Sequence, residues 1–156
     1  MRFFLMVAVA LATMLPAQAA ELPTSEKILT IVRAWEQNPI TPALHQQIWQ
    51  VVRFARESPL VQVRVSPVSC PYVKEDDDVC GPVLLAAYLA GNMKAQLETG
   101  LPGDQSYEGV LFSLHMYQVL RRERPGYRSP GLDQLAELES RGELRAYLDQ
   151  KLCLTP

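Results

Sequence analysis

The chain has 156 residues, of which 48% are hydrophobic and 21% charged, and its formal net charge is −2 at pH 7. This length is typical of one domain, and the mild acidic balance argues against nucleic acid, whose binding proteins present a basic surface. The same balance gives no reason to expect attraction to anionic lipid.

The first twenty residues have the three-part pattern of a secretory signal peptide. Arg2 supplies a positive charge, residues 3–15 form an apolar run, and residues 17–19 (Ala-Gln-Ala) form a small-residue cleavage site. The apolar run is too short for a bilayer core, which needs roughly 20 residues. We expect residues 1–19 to be removed by cleavage after residue 19. The product, residues 20–156, is then expected to be a single domain in the periplasm or outside the cell. We do not expect it to be inserted in a membrane. An uncleaved anchor and a cut one residue later are the alternatives.

Two helices are predicted next. Apolar residues recur at helical spacing from Thr24 to Gln37, and the following Asn38-Pro39 ends that stretch because the residue before a proline avoids the helical conformation. Thr41-Pro42 has the pattern of a cap followed by a proline at the first helical position, and predicts a helix that ends at Ser58-Pro59. A connection of about four residues predicts that the two helices lie antiparallel.

The pattern then changes to alternation between Leu60 and Ser66. Val61, Val63 and Val65 alternate with polar residues, and this period of two with β-branched side chains predicts a strand. Either the chain returns beside the strand at Tyr72–Val73, as a hairpin, or the strand pairs elsewhere. We therefore predict one short extended segment or hairpin near residues 60–73.

The sequence contains three cysteines, Cys70, Cys80 and Cys153. In an oxidising compartment the expected arrangement is one disulfide and one remaining thiol. Cys70 and Cys80 delimit a predicted loop of about eleven residues, and a bridge between them would contribute at most about 3 kcal/mol by restricting the unfolded chain. We predict the disulfide Cys70–Cys80, with a bridge from Cys153 as the alternative.

The rest of the chain is predicted to be helical. Residues 83–98 form the most apolar stretch, which indicates a central buried helix, and Gly91 within it indicates close approach of another backbone. Apolar stripes predict a helix that ends near Glu123, a shorter one after Ser129-Pro130, and a final turn or two from Glu143. The predicted fold is mostly α, a compact bundle of about five helices.

The most conspicuous polar feature is the acidic run Glu75, Asp76, Asp77 and Asp78. Four consecutive acidic side chains point in different directions and cannot all converge on a calcium ion, whose loop sites alternate ligands with spacers. We interpret the run as a solvated loop and as a candidate contact for a basic protein partner.

A candidate ligand groove is centred on Asn92, which follows Gly91 in the most apolar helix. Burying an amide costs free energy unless its hydrogen bonds are met, and a bound ligand is one way to meet them. Tyr88, Glu108 and His115 are the other candidates to line this groove. The competing interpretation is that Asn92 bonds to a neighbouring backbone and that His115 is simply packed or partly exposed.

No motif identifies a catalytic or metal site. The chain has two histidines and lacks the H-E-x-x-H, G-x-S-x-G, C-x-x-C and glycine-rich phosphate-binding patterns. We therefore expect no catalytic residue, metal or cofactor, and interpret the chain as a non-catalytic protein-binding module. The first alternative is a small-ligand binder or enzyme whose site assembles only in three dimensions. The second is a structural protein that self-associates through the Val61–Val65 edge.

Overall fold

Six α-helices and one short 3₁₀ helix make up the regular structure of the described residues. The structure, a computed structural model, describes residues 21–75 and 80–153. In chain order the elements are α1 (Ser25–Gln37), α2 (Leu44–Glu57), the 3₁₀ helix (Pro71–Lys74), α3 (Gly81–Thr99), α4 (Ser106–Glu123), α5 (Pro130–Ser140) and α6 (Leu144–Cys153). The prediction of a mostly α bundle is confirmed. The predicted signal peptide lies outside the described residues.

The helices α3 and α4 form a central antiparallel hairpin. Their contacts run in opposite order along the two helices: the Leu84 carbonyl accepts from Ser113 Oγ at 3.2 Å, and one turn later Tyr88 packs against Gly109. The helices α1 and α2 pack against α3, whereas α5 and α6 pack against α4. This arrangement explains why α3 is apolar on nearly all sides, since α1, α2 and α4 all cover it.

Two glycines permit the short distance between α3 and α4. A Cβ atom at Gly91 would lie 2.6 Å from the Glu108 carbonyl oxygen, and one at Gly109 would lie 2.8 Å from the Tyr88 ring. Both distances are well below about 3.5 Å, the separation at which non-bonded carbon atoms begin to pack favourably. The close backbone approach predicted for Gly91 is therefore confirmed.

Most of the predicted helix ends are confirmed. Thr24 Oγ1 caps α1 by accepting from the Lys27 amide at 3.2 Å, and Gly100 ends α3 in the left-handed conformation, with a φ of 68°. The predicted start of α2 at Thr41-Pro42 is wrong, because residues 41–43 form a turn. In that turn the Leu44 amide donates to the Thr41 carbonyl at 3.0 Å, and α2 begins only at Leu44.

The predicted strand is an extended segment that joins no sheet. Residues 61–66 are neither helix nor strand, and the described part of the chain contains no strand. Val61 is buried while Gln62 and Arg64 are exposed, as the alternation predicts, but the pattern ends at Val65, which is 47% exposed. The hairpin alternative is wrong, because the returning chain forms the 3₁₀ helix instead.

The predicted disulfide Cys70–Cys80 is not formed. All three cysteines are among the described residues, and none lies at disulfide distance from another. The stretch between Cys70 and Cys80 is not the simple loop that the prediction assumed. The 3₁₀ helix begins directly after Cys70 and places Tyr72 in the core, where the Tyr72 hydroxyl donates to the Leu84 carbonyl at 3.1 Å. Cys70 and Cys80 are both buried, and Cys153 is exposed.

Candidate functional site

Asn92 lies at the centre of a partly buried hydrogen-bond network between α3 and the loop before α4. Its side chain is fully buried. Asn92 Nδ2 donates to Asp104 Oδ1 at 2.7 Å, and Asn92 Oδ1 accepts from Gln96 Nε2 at 2.7 Å and from the Gln105 amide at 3.0 Å. These partners belong to the chain itself, so the burial of Asn92 needs no ligand to explain it.

Tyr88 belongs to the same network. Its hydroxyl donates to the Arg64 carbonyl at 2.7 Å and lies 2.9 Å from Ser106 Oγ, which in turn donates to Asp104. Burial raises the pKa of Tyr88 to about 12, so the hydroxyl stays protonated at neutral pH. Tyr88 therefore connects the extended segment to the start of α4.

Glu108 and His115 lie on a different face of the α3–α4 hairpin, where they line a groove of about 430 Å³. The α3 wall of this groove includes Gly91 and Lys94, whereas Tyr88 and Asn92 do not line it. The structure thus divides the four residues predicted to share a groove. Two of them are part of the internal network, and two line an open groove one helix face away.

The charged groups of the α3–α4 groove are paired with one another or with neighbouring side chains. Lys94 Nζ lies 2.6 Å from a carboxylate oxygen of Glu36 and 3.9 Å from one of Glu98, and Glu108 accepts from Arg145 at 3.0 Å. His115 Nε2 is buried and has no hydrogen-bond partner among the described residues. The groove has the size and mixed lining of a small-ligand site.

The described residues contain no candidate metal ligand set, and Cys70 is not an activated thiol. The described residues contain no group of three or more His, Cys, Asp or Glu side chains that could hold a metal ion. Burial raises the pKa of the Cys70 thiol to about 11, and the thiolate is the nucleophilic form, so Cys70 is unreactive at neutral pH. Cys153 is exposed at the end of α6.

Of the acidic run, the structure describes only the first residue, Glu75. Glu75 is half-buried, and its Oε1 accepts from the Gly131 amide at 2.9 Å, in the first turn of α5. A carboxylate in this position satisfies an unpaired helical amide and interacts favourably with the helix dipole. Glu75 therefore has a structural contact of its own, and the remaining predicted partner contacts, Asp76, Asp77 and Asp78, lie outside the described residues.

The outer face of α2 carries a large exposed aromatic side chain, Trp49, which is 64% exposed. Its indole N–H donates to His45 Nε2 at 3.3 Å, one turn earlier on the same face, and the two rings meet edge to face. Arg53 and Arg56 continue this face towards the end of the helix. We call the surface formed by His45, Trp49, Arg53 and Arg56 the Trp49 face.

The Trp49 face was not predicted from the sequence, because it lies outside the apolar stripe from which α2 was predicted. Val51 and Phe54 are buried, and Ile48 packs beside them, as helical spacing requires. Trp49 lies about 100° further round the helix than Ile48. A large aromatic residue outside an otherwise complete apolar stripe was therefore the signal that could have identified this surface.

No helix in the described part of the chain is both long enough and apolar enough to cross a membrane. Comparisons of the chain with models of protein families, with curated proteins and with solved structures found no match.

Proposed function

We propose that this chain is an exported, non-catalytic protein-binding module, and that the Trp49 face of α2 is its contact surface. The observation that carries the proposal is a tryptophan with 64% of its surface exposed on an otherwise polar helix face. Tryptophan and arginine are the residue types most enriched among the side chains that dominate binding energy at protein interfaces. The Trp49 face contains both types within two turns of one helix.

The geometry of Trp49 supports this proposal, because its ring is already positioned. In the unbound chain the hydrogen bond to His45 and the edge-on ring contact favour this orientation of the indole. A side chain that is ordered before binding loses less conformational entropy when a partner covers it. The helix itself is held by Val51 and Phe54 in the core, so the surface is presented by a rigid element.

The charges of the Trp49 face indicate an acidic partner. Glu57 accepts from both Arg53, at 3.0 Å, and Arg56, at 2.7 Å, so two guanidinium groups share one carboxylate. The cluster keeps a net positive charge, with donors that a partner's carboxylates can engage. We expect association to slow as the salt concentration rises, because complementary charges mainly accelerate encounter.

Site-specific photo-cross-linking tests the proposal. The full chain is expressed in the producing cell with a photoreactive phenylalanine analogue at position 49, or at position 101 as the control. Leu101 is a suitable control because it is 68% exposed but lies in the loop between α3 and α4. A single protein joined to position 49 and not to position 101 supports the proposal. Equal cross-linking from both positions, or none from position 49, contradicts it.

A second candidate function, binding of a small ligand, rests on the α3–α4 groove. The specific observation that favours it is a cavity of about 430 Å³ that combines an apolar wall with charged side chains. A ligand with an apolar body and one hydrogen-bonding group would suit the groove, which Phe112 and Leu111 line beside the charged residues. A ligand screen by thermal shift, repeated with His115→Ala, tests this candidate. A ligand that stabilises both proteins equally does not bind at His115.

A further inference from the structure

Four arginines lie close together in the sequence where α4 ends. Residues 121–128 contain these four arginines and one glutamate, a formal charge of +3, in a chain whose formal net charge is −2. A cleft of about 460 Å³ opens beside them. We call it the arginine cleft, and its lining residues are Gln118, Arg121, Arg122, Pro125 and Arg128. No carboxylate belongs to this lining in the described part of the chain.

The contacts of these guanidinium groups leave the cleft positively charged. Arg128 Nη1 donates to the carbonyls of Tyr127 at 2.7 Å and Pro125 at 3.2 Å, and both acceptors are neutral. Arg121 Nη1 lies 3.6 Å from Asp133 Oδ1, which is longer than a hydrogen bond. Because an exposed ion pair at such a distance is weak, Asp133 neutralises the cleft only in small part.

The dipole of α4 explains only two of the arginines. Arg121 and Arg122 lie in the last turn of the helix, where positive charge is favoured. Arg128 lies beyond the end of the helix at Glu123, and it still lines the cleft. Helix stability therefore gives no reason for three guanidinium groups to share one cleft, in which like charges repel one another.

A bound anion would convert this repulsion into attraction. Arg122 forms no ion pair with the described residues, so its donors are available to a ligand. The carboxyl end of α4 opposes an anion with the equivalent of about half an elementary charge. The three arginines of the cleft each carry a full positive charge, so their attraction outweighs that of the dipole's opposing sign.

A second cavity, of about 270 Å³, adjoins the arginine cleft between α4 and α5, and Gln118 and Arg121 line both. The rest of its lining is mostly apolar or aromatic and consists of Leu111, Leu114, His115, Tyr117, Ala136 and Glu139. We call it the α4–α5 cavity. It borders the α3–α4 groove at Leu111 and His115, whereas the arginine cleft shares no lining residue with that groove. An anionic group in the arginine cleft therefore has an apolar space beside it.

We propose that the arginine cleft binds the phosphate group of a phosphate monoester, and that the apolar body of this ligand occupies the α4–α5 cavity. The site lies on α4, whereas the Trp49 face lies on α2, so it adds a ligand to the function proposed above and does not depend on it. A soluble ester and a lipid head group present the same chemistry to the cleft, and the experiments below separate them.

The number and shape of the cationic groups favour phosphate over carboxylate. At neutral pH a phosphate monoester carries nearly two negative charges and has three terminal oxygens that accept hydrogen bonds. Planar guanidinium groups bind such oxygens through pairs of parallel hydrogen bonds. A carboxylate has one charge and two oxygens, so it would engage fewer of the three arginines.

Isothermal titration calorimetry with phenyl phosphate and with inorganic phosphate tests the site. Phenyl phosphate should bind at least about tenfold more tightly, because its ring gains apolar contacts in the α4–α5 cavity. The double variant Arg122→Gln, Arg128→Gln should weaken the binding of both probes at least about tenfold, because two charge-assisted contacts are lost. The control Arg33→Gln, Arg141→Gln removes the same charge from exposed positions outside the cleft. It should change either affinity less than about twofold, because distant exposed charges are screened by salt.

A single variant protects this test against a loss of folding. Arg122→Gln removes no ion pair with the described residues, so it should keep the wild-type melting temperature. It should still weaken the binding of both probes about threefold or more, because one charge-assisted contact is lost. Equal affinities in the wild type and the double cleft variant, or no binding of either probe at millimolar concentration, overturn the proposal.

Ala136→Leu tests the position of the apolar body. The larger side chain fills part of the α4–α5 cavity, which Ala136 lines. It should weaken the binding of phenyl phosphate at least about fivefold by excluding the ring, and should leave the affinity for inorganic phosphate unchanged. Ala146→Leu is the control, because Ala146 is exposed on α6 and does not line the cavity. An unchanged affinity of Ala136→Leu for phenyl phosphate contradicts this position.

Sedimentation with lipid vesicles separates the two sources of the phosphate group. The chain is mixed with vesicles of phosphatidylcholine, with or without phosphatidic acid, whose head group is a phosphate monoester. If the ligand is a lipid, the wild type should sediment with the phosphatidic acid vesicles and the double cleft variant should not. If the ligand is a soluble ester, the wild type should bind phenyl phosphate and sediment with neither kind of vesicle. Equal sedimentation of the wild type and the double cleft variant with phosphatidic acid contradicts lipid binding through the arginine cleft.

Discussion

Asn92 and Trp49 lie at opposite extremes of burial, and their substitutions should separate stability from binding. Asn92 is fully buried with three hydrogen-bond partners, whereas Trp49 is 64% exposed with one hydrogen bond, to its own helix. At the scale of single residues, a buried polar group is costly to remove because its partners remain buried and unpaired. An exposed side chain away from such features changes stability little.

The first prediction at this scale concerns Asn92→Ala. It should lower the free energy of unfolding by about 2 kcal/mol or more, because the Gln105 amide and Gln96 Nε2 each lose an acceptor. Urea denaturation followed by circular dichroism measures this change. Trp49→Ala is the control and should shift the free energy by less than about 0.5 kcal/mol. An unchanged midpoint for Asn92→Ala would mean that the network does not hold the α3–α4 loop.

The second prediction compares two glycines of α3. Gly91→Ala should destabilise the chain by about 1–3 kcal/mol, because the new Cβ would lie 2.6 Å from the Glu108 carbonyl and the helices must move apart. Gly81→Ala adds the same methyl group where no atom of the described residues lies within 4 Å, and it should be neutral or slightly stabilising. Thermal denaturation of both variants is the measurement. Similar melting temperatures would contradict the close helix packing.

The third prediction concerns alkaline pH. Because burial raises the pKa of Tyr88 from about 10 to about 12, the folded chain keeps a proton that the unfolded chain releases. Its contribution to stability is therefore complete below pH 10 and is lost as the pH rises towards 12. Burial also raises the pKa of Cys70, from about 9 to about 11. The contribution of Cys70 to stability is therefore lost over a pH range that begins lower, near pH 9.

Denaturation of Tyr88→Phe between pH 8 and pH 12 isolates the tyrosine. This variant should be less stable than the wild type at pH 8, because the Arg64 carbonyl loses its donor. Its stability should also fall less steeply above pH 10. Parallel pH profiles for the two proteins would show that Tyr88 titrates alike in the folded and unfolded chains.

At the scale of secondary-structure elements, the fold follows patterns that are local in the sequence. The apolar spacing of α1, its Thr24 cap and the left-handed Gly100 after α3 are each determined by residues within a few positions, and each could be predicted. The start of α2 could not, because a turn at residues 41–43 and a helix start with a cap and proline share the same residue types.

Contacts between distant residues account for the predictions that the sequence could not settle. Alternation correctly indicated that residues 61–66 are extended, but the chain pairs with the amide of Gln96, 34 residues from Gln62, and no periodicity marks such a partner. The spacing of Cys70 and Cys80 gave no information on the 3₁₀ helix that separates them. The prediction that four residues share one ligand groove failed for the same reason. Asn92 bonds to Asp104 because of the way in which the loop before α4 folds back.

Replacement of Gln96 tests this account of the extended segment. Gln96→Leu keeps much of the side-chain volume but removes the two hydrogen bonds to Gln62, so the Gln62 amide should exchange with solvent at least about tenfold faster. Amides in the middle of α4 are the control, and the ratios among their exchange rates should be nearly the same as in the wild type. Hydrogen exchange followed by NMR is the measurement. Protection of Gln62 equal to that in the wild type would mean that another contact holds the segment.

At the scale of the whole molecule, large exposed apolar side chains are concentrated in one part of the described chain. Five of the six, Ile40, Trp49, Leu60, Val65 and Val73, lie between residues 40 and 73, and the sixth is Leu101. None lies on α4, α5 or α6. The Trp49 face belongs to this part of the chain, whereas the central hairpin provides much of the core.

The most direct test of the central claim compares capture of a partner by two alanine variants of similar exposure. Wild-type chain, Trp49→Ala and Leu101→Ala are each cross-linked in the producing cell's envelope and culture fluid, and the recovered partner is quantified by mass spectrometry. Trp49→Ala should reduce recovery at least about tenfold, the loss expected of a dominant interface residue, and Leu101→Ala should leave it unchanged. Undiminished recovery with Trp49→Ala, or an equal loss with Leu101→Ala, would contradict the assignment of the Trp49 face as the binding surface.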